Sequence, residues 1–379
     1  MTWAILMVFP ESSHAQLDSI VKAISDTVIN KFIVDDIPKK TFKDKFMYPH
    51  RWYIRLLLKP TNSDFDTTYI LSSKKKLTIT IPVSKKYYGF NLFDHSSSSK
   101  LKFLPNNYYH VGFNFSNMFL TFGFVPNIKF GSKEGRGPTK AVDFQLTIIG
   151  RRVITDINYQ NFKGMYSRDN SESQTIAVRP DIKLISYGVN TMFVFNYKKY
   201  SLRGAFSFTD VQRKSSGSLM AGIYHSHVDF TCDDSSFNAP FEPSFSKLIK
   251  DMNKITVIVI GLTGGYGYTM VHKKILFSTA INFGAGGQKL NYTLSDRHIQ
   301  NLPLNMAIHL TAKASLRYDN LRFFVGILAT YDNNYSAFVM HFNSSNYMGK
   351  AVAFVGYRFN LKNNGRNILK ALRLVDYNK

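Results

Sequence analysis

Residues 304–317 read LNMAIHLTAKASLR. In an extended chain successive side chains point to opposite faces, so Leu304, Met306, Ile308, Leu310, Ala312, Ala314 and Leu316 share one side. Asn305, His309, Thr311, Lys313, Ser315 and Arg317 share the other. A strand of a soluble sandwich is usually five or six residues long, whereas a tilted strand needs roughly 9–11 to cross a bilayer. Alternation of the longer kind recurs in about a dozen segments of roughly eight to sixteen residues. The pattern predicts an all-β fold: a transmembrane, antiparallel, up-and-down β-barrel.

The composition agrees. The chain has 379 residues, 44% of them hydrophobic and 15% aromatic, yet it contains no apolar run of the roughly 18 residues that a membrane helix requires. Its rings are Phe and Tyr, with only two Trp, and many sit near segment ends, where interfacial girdles of a barrel belong. The net charge of +23 comes from Lys and Arg scattered through turns and alternating faces. Without a recognition helix or an aromatic single-strand motif, that charge does not indicate a nucleic-acid partner. It suits phosphate-rich lipopolysaccharide and outer-membrane lipid outside, and an anion-attracting pore inside.

At the N-terminus, the apolar run Trp3 to Phe9 followed by Ser13-His14-Ala15 fits the end of a secretion signal cleaved before Gln16. Residues 1–15 are therefore expected to be a truncated signal peptide, with a structured strand as the alternative. Leu17, Ile20, Val21, Ile24, Val28, Phe32 and Ile33 have helical spacing, which predicts a short helix within a periplasmic segment or plug over 16–50. The barrel is expected over 51–361, and a basic periplasmic tail over 362–379. The single cysteine, Cys232, excludes an internal disulfide.

Paired basic residues at Lys85-Lys86, Arg151-Arg152, Lys198-Lys199 and Lys273-Lys274, and the polar pairs Ser116-Asn117 and Asp319-Asn320, read as tight hairpin turns. Longer Gly/Ser/Asn/Asp-rich connections at 94–106, 127–139, 167–180, 230–253 and 286–303 alternate with them, and would face the cell exterior. The candidate segments number about fifteen, and single-chain bacterial barrels have even strand numbers. The expectation is about fourteen strands, with twelve as the alternative and with Trp52 to Leu58 and Gly217 to Phe230 the segments in question.

Assigning faces puts Val142, Phe144, Leu146, Ile148, Val153, Ile157 and Tyr159 towards lipid, and Asp143, Gln145, Asp156, Asn158 and Gln160 in the lumen. The small residues Gly261, Thr263, Gly265, Gly267 and Thr269 share one face, leaving room for a plug, a ligand or curvature. The last strand alternates Val355, Tyr357 and Phe359 with Phe354, Gly356 and Arg358, and its GYRF ending at 356–359 resembles the C-terminal signal that barrel-insertion machinery recognises.

Four blocks together resemble the family called domain of unknown function 4421, outer-membrane barrels of Bacteroidota. They are HVGFNFSNMFLTFGF from His110, TKAVDFQLTIIGRRVITDINYQNFKGMY from Thr139, RPDIKLISYGVNTMFVFNYKKYSLRGAF from Arg179 with VQRKSSGSLMAG after it, and GLTGGYGYTMVHKK from Gly261. The resemblance runs from about Asp66 to Phe359 and implies fold and compartment. It carries over no functional residues.

His225, His227 and Asp229 form the sharpest constellation, but residues at i, i+2 and i+4 of a strand span roughly 13 Å, too far to share one ion without a bulge. No nucleophile motif accompanies His309 or His110, so no catalytic, cofactor or metal residues are assigned. The candidate lumen lining is Asp143, Gln145, Asp156, Asn158, Lys183, Arg203, His309, Lys313, Arg317, Arg322 and Arg358. The expected function is that of a non-enzymatic channel or ligand-binding transporter for small, anionic solutes. The alternative is a structural or accessory barrel that binds an outer-membrane protein partner, and a lipid-modifying enzyme is a distant third.

Overall fold

The computed structural model describes residues 65–72, 76–106, 109–116, 121–124, 135–168, 176–233, 237, 245–294, 299–337 and 341–360. The expected signal, N-terminal helix, Trp52–Leu58 segment and basic tail lie outside these residues. In chain order the strands are β1 (Ile70–Ser72), β2 (Lys76–Asp94), β3 (Ser99–Leu104), β4 (Tyr109–Val111), β5 (Phe113–Ser116), β6 (Thr121–Phe124), β7 (Lys140–Ile149), β8 (Val153–Arg168) and β9 (Ile176–Val194). They continue with β10 (Asp210–Gln212), β11 (Ser216–Thr231), β12 (Met252–His272), β13 (Ile275–Leu294), β14 (Ile299–Asn301), β15 (Asn305–Asp319), β16 (Phe323–Ala337) and β17 (Phe342–Asn360). A short helix, α1 (Lys247–Asp251), precedes β12, and a π-helical turn occupies Arg203–Ser207.

Every wall pairing is antiparallel, and β17 returns to β2, with Asn360 opposite Lys76 and Phe342 opposite Asp94. The β17–β2 ladder satisfies the backbone there, as hydrocarbon requires, while among the described residues β3 joins β8 over three residue pairs and β6 and β7 each pair on one side only. The ring runs β2, β17, β16, β15, β13, β12, β11, β9, β8 and β3, ten strands among the described residues, and with four more attached beside it the sheet holds about the fourteen expected, differently arranged. Three local causes account for the difference. Lys85-Lys86 is not a turn but lies within the uninterrupted β2, so two expected strands merge. The segments between 109 and 149 form β4 to β7, which attach beside the ring: β4 and β5 pair with β2, β6 with β5, and β7 with β8. The third cause is a bulge in β8 between Lys163 and Met165, at Gly164 (φ +78°), where β8 exchanges its partner β7 for β3. Gly217 to Phe230, in question from sequence, is the wall strand β11.

The outer face is apolar. Ile260 (66% exposed) and Leu262 (71%) on β12 continue into Phe283 on β13, Ile308 and Leu316 on β15, and Ile327 on β16. Along β12 the apolar outer residues run from Ile258 to Met270, roughly 30 Å of membrane normal at a tilt near 45°. Val142 and Tyr159 face outward as expected, as do Val355, Tyr357 and Phe359, whereas Val153 is buried between neighbours. The inward residues of β15 are those that the 304–317 reading gives: His309, Thr311, Ser315 and Arg317 are all buried. This closed wall with its lipid-facing belt is outer-membrane barrel architecture.

Candidate functional site: a polar chamber between two seals

One rim of the barrel carries the short connections Arg151-Arg152, Lys273-Lys274 and Asn320 to Arg322. Here Lys198-Lys199 does not turn directly into the next strand. Residues 195–215 fold inward instead, through the π-helical turn and β10, and fill the bore at this end. Sequence periodicity misses this plug because it contains no strand-length alternation; the available signal is its length, too great for a hairpin turn. The wall holds it by its carbonyls. Ser315 Oγ donates to Ala205 O (2.8 Å) and Arg317 Nη1 to Gly204 O (2.8 Å). Arg358 donates to Phe208 O through Nε (3.2 Å) and Nη2 (2.9 Å), while its fork also grips both oxygens of Asp319 (2.8 and 2.9 Å). Arg317 Nε lies 3.1 Å from the same carboxylate, and Arg151 and Arg203 flank the buried Asp210 at 3.7 and 3.8 Å. The plug's Tyr200 stands against Gly267, where a Cβ would come within 2.5 Å of the phenol oxygen, so the small-residue face of β12 does make room for a plug. On its other side β10 pairs with β1, Ser72 opposite Asp210 and Ile70 opposite Gln212.

The other rim is closed by an apolar cluster. Phe90, Phe103 and Phe230 point inward and stack, with ring centroids 4.3 Å apart for Phe90 and Phe230 and 4.8 Å for Phe103 and Phe230. Phe237, Phe245 and Ile249, from the connection that follows β11, complete it. Arg179 anchors that connection by donating to Phe237 O (3.0 Å). The apolar interior here explains a misassigned residue. Ile182 and Leu184 take the inward positions of β9, so Lys183 faces outward and is exposed, not in the lumen.

Between the seals the interior is polar. Lys313 Nζ on β15 reaches across the bore to Asp156 Oδ2 on β8 (2.7 Å), and Lys86 pairs with Asp143, which also accepts from Tyr88 Oη (2.5 Å). Gln145 Nε2 donates to that phenol (2.9 Å). Beyond the Asp156–Lys313 bridge lies a chamber of about 20 Å³, lined by Asn158, Gln160, Asn190, Tyr224, His309 and Asp332 among others. His309 is 2% exposed, with Nε2 3.1 Å from Asp332 Oδ2 and its ring 4.3 Å from that of Tyr224. Tyr224 in turn fits because Gly261 and Gly284 face it; a Cβ there would lie 2.5 and 2.9 Å from its Cε1.

The structure therefore brings Asp143, Gln145, Asp156, Asn158, His309, Lys313, Arg317 and Arg358 to the interior. Arg203 is also interior, but on the plug instead of a wall strand. Arg322 is exposed in the β15–β16 connection, where Asn320 Oδ1 caps its backbone N–H (3.3 Å), because Asp319 and Arg358 already satisfy the inward positions at that rim. Lys86, Lys313, Arg317 and Arg358 meet carboxylates or plug carbonyls, while Lys350, on the inner face of β17, stands opposite Lys86. His225, His227 and Asp229 lie on the outer face of β11: His227 stacks on Tyr187 (4.6 Å) and meets Asp229 (2.8 Å), which also accepts from Thr256 Oγ1 (2.6 Å). Among the described residues no group of three His, Cys, Asp or Glu side chains could hold a metal ion.

In the comparisons with known proteins, no curated protein matches the chain. The chain is similar to three solved outer-membrane proteins. The outer membrane protease OmpT of Escherichia coli has 10% identity and a TM-score of 0.33, with 76% of this chain and 98% of that chain covered. The translocator domain of the autotransporter NalP of Neisseria meningitidis has 10% identity and a TM-score of 0.30, covering 84% and 98%. OprG of Pseudomonas aeruginosa has 10% identity and a TM-score of 0.23, covering 76% and 98%. The model of one protein family spans residues 64–359, nearly the whole of the wall and plug, and the chain belongs to that family, Domain of unknown function (DUF4421).

Proposed function

We propose that the protein is a gated outer-membrane barrel, a binding-type transporter for small solutes whose resting state is closed. One observation carries this reading: a polar chamber is set between two seals of different chemistry. A purely structural interior gains nothing from buried polar atoms without partners, because each costs about 1–3 kcal/mol. Yet the chamber is lined by several. The plug is held to the wall by side-chain contacts to its carbonyls, and its one ladder is to β1 and not to a wall strand, so it can leave without opening the wall. The apolar cluster offers a second gate that wets only when displaced.

Single-channel recording in planar bilayers tests this. The refolded chain should be silent. A variant in which Tyr200–Lys214 is replaced by a short Gly-Ser turn, combined with Phe103→Ala and Phe237→Ala, should give steady openings. Continuous conductance by the wild type would overturn the closed resting state. Silence of the folded, doubly unsealed variant would overturn transport and leave the second reading, an accessory barrel that binds a protein partner, for which the fully packed rim of Phe90, Phe103, Phe230 and Phe237 argues.

A further inference from the structure

The chamber has a definite chemical bias. Asn334 Nδ2 donates to Ser226 Oγ (3.4 Å) and Asn346 Nδ2 to Ser186 Oγ (3.2 Å), so the amide donors on β16 and β17 are engaged with the opposite wall. The atoms left without a protein partner are Asn190 Oδ1, Asn334 Oδ1, Tyr224 Oη and His309 Nδ1. Two of these are carbonyl oxygens, which only accept. His309 turns Nε2 to Asp332 and leaves Nδ1 facing the chamber. His309 and Tyr224 are 2% and 3% exposed, so bulk water does not serve them. Asp332 is the one carboxylate among the lining residues, and neither Lys nor Arg is among them. Carbonyl oxygens and a carboxylate turned towards the same space disfavour an anion there. A volume of about 20 Å³ holds a single small species. One carboxylate is too little charge for the oxygen cages that divalent calcium prefers.

Resting on the transport reading above, we propose that the chamber binds one small monovalent cation, an alkali ion or ammonium, through Asp332, Asn190, Asn334 and Tyr224. The solute class is therefore cationic, although the total charge of the chain and the sequence-derived lining point to anions. The bridges Lys313–Asp156 and Lys86–Asp143 offset two of the interior lysines, and the third, Lys350, stands opposite Lys86 on β17.

The test is thermal unfolding of the refolded full chain in detergent at fixed ionic strength, comparing sodium, potassium and ammonium chloride with N-methylglucamine chloride, whose cation is too large to enter. A small cation should raise the midpoint by several degrees in a concentration-dependent way, and Asp332→Asn and Asn334→Leu should abolish the difference. Equal midpoints in all four salts, or an unchanged cation effect in Asp332→Asn, would overturn the site. Should these variants fail to fold, wild-type crystals soaked in rubidium chloride decide. An anomalous peak beside Asp332 supports the site, and density for water alone overturns it. Because neither measurement needs current, a silent barrel that binds the ion would refute transport and leave the site standing.

Discussion

At the level of single residues, the plug rim turns on Asp319. Its carboxylate and the guanidinium groups of Arg317 and Arg358 are essentially fully buried, so removing the acid leaves two buried cations without their counter-charge. Breaking such a pair costs about 3–5 kcal/mol, far more than loss of an exposed one. Asp319→Ala should therefore lower the unfolding free energy of the refolded barrel in urea by that much, whereas Asp66→Ala, at an exposed turn, should leave it within about 0.5 kcal/mol. Cys232, just beyond β11, gives a second residue-level expectation. Burial pushes its thiol up to about 12. The nearby Arg179 guanidinium only partly opposes this. A raised pKa keeps the thiol protonated at pH 8, where an ordinary cysteine would already be partly thiolate. Maleimide should label the denatured chain promptly and the folded one hardly at all, as intact mass would show; rapid labelling of the folded chain would mean that the Phe237 connection does not cover it. Sequence alone locates Cys232 and Asp319 but cannot show that either is buried, since both stand at strand ends where exposure is the ordinary outcome.

Elements were legible wherever one face met lipid and the other met polar groups. β15 and the end of β17 follow their alternation residue by residue, and of the three uses left open for the small-residue face of β12, a plug, a ligand or curvature, the structure sets Tyr200 of the plug against Gly267. Legibility failed where the interior changes character. At Ile182 and Leu184 the inner face is apolar, so a rule that sends charge inward misplaces Lys183. At Lys85-Lys86 two charges in succession look like a turn, although one points out and the other meets Asp143 across the lumen. The plug eluded periodicity because its order comes from tertiary contacts with Arg317, Arg358 and Ser315 and not from its own pattern. Those contacts involve no wall ladder, and that has a measurable consequence. Replacing Tyr200–Lys214 by a short turn should leave a barrel that still resists SDS at room temperature and migrates differently after boiling. A chain that no longer shows this heat-modifiable shift would mean that the plug is needed to nucleate or hold the wall.

For the molecule as a whole, the depth at which the wall sits in the membrane follows from its outer face, and substitution costs should map it. Ile260 lies within the apolar belt of β12, beside His225 on β11 and Gly287 on β13. Four residues along the same face, Thr256 pairs with Asp229 and Asn291, and the next outward position is Lys254, opposite Thr231 and Thr293. The belt therefore gives way to hydrogen-bonding groups over two outward positions, which is how a wall passes from hydrocarbon to headgroups. Arginine on a lipid face costs about 2–4 kcal/mol at the bilayer midplane and about 0–1 near the interface. Ile260→Arg, one outward position inside the end of the 258–270 stretch, should accordingly destabilise the barrel refolded into vesicles by about 2 kcal/mol, and Thr256→Arg by about 1 kcal/mol or less. In detergent micelles, whose apolar region adapts its thickness, the gap between the two variants should narrow. Equal costs in vesicles would mean that the belt is not centred where the 258–270 stretch of β12 places it. A larger cost for Thr256→Arg would put the His227–Asp229 pair inside the hydrocarbon. In that position their mutual hydrogen bond and the Thr256 hydroxyl would be the only compensation for two ionisable side chains facing lipid. Three outward lysines agree with the first outcome: Lys183, Lys254 and Lys289 all lie on the loop side of Ile260, Lys289 opposite Ile258 at the end of the belt.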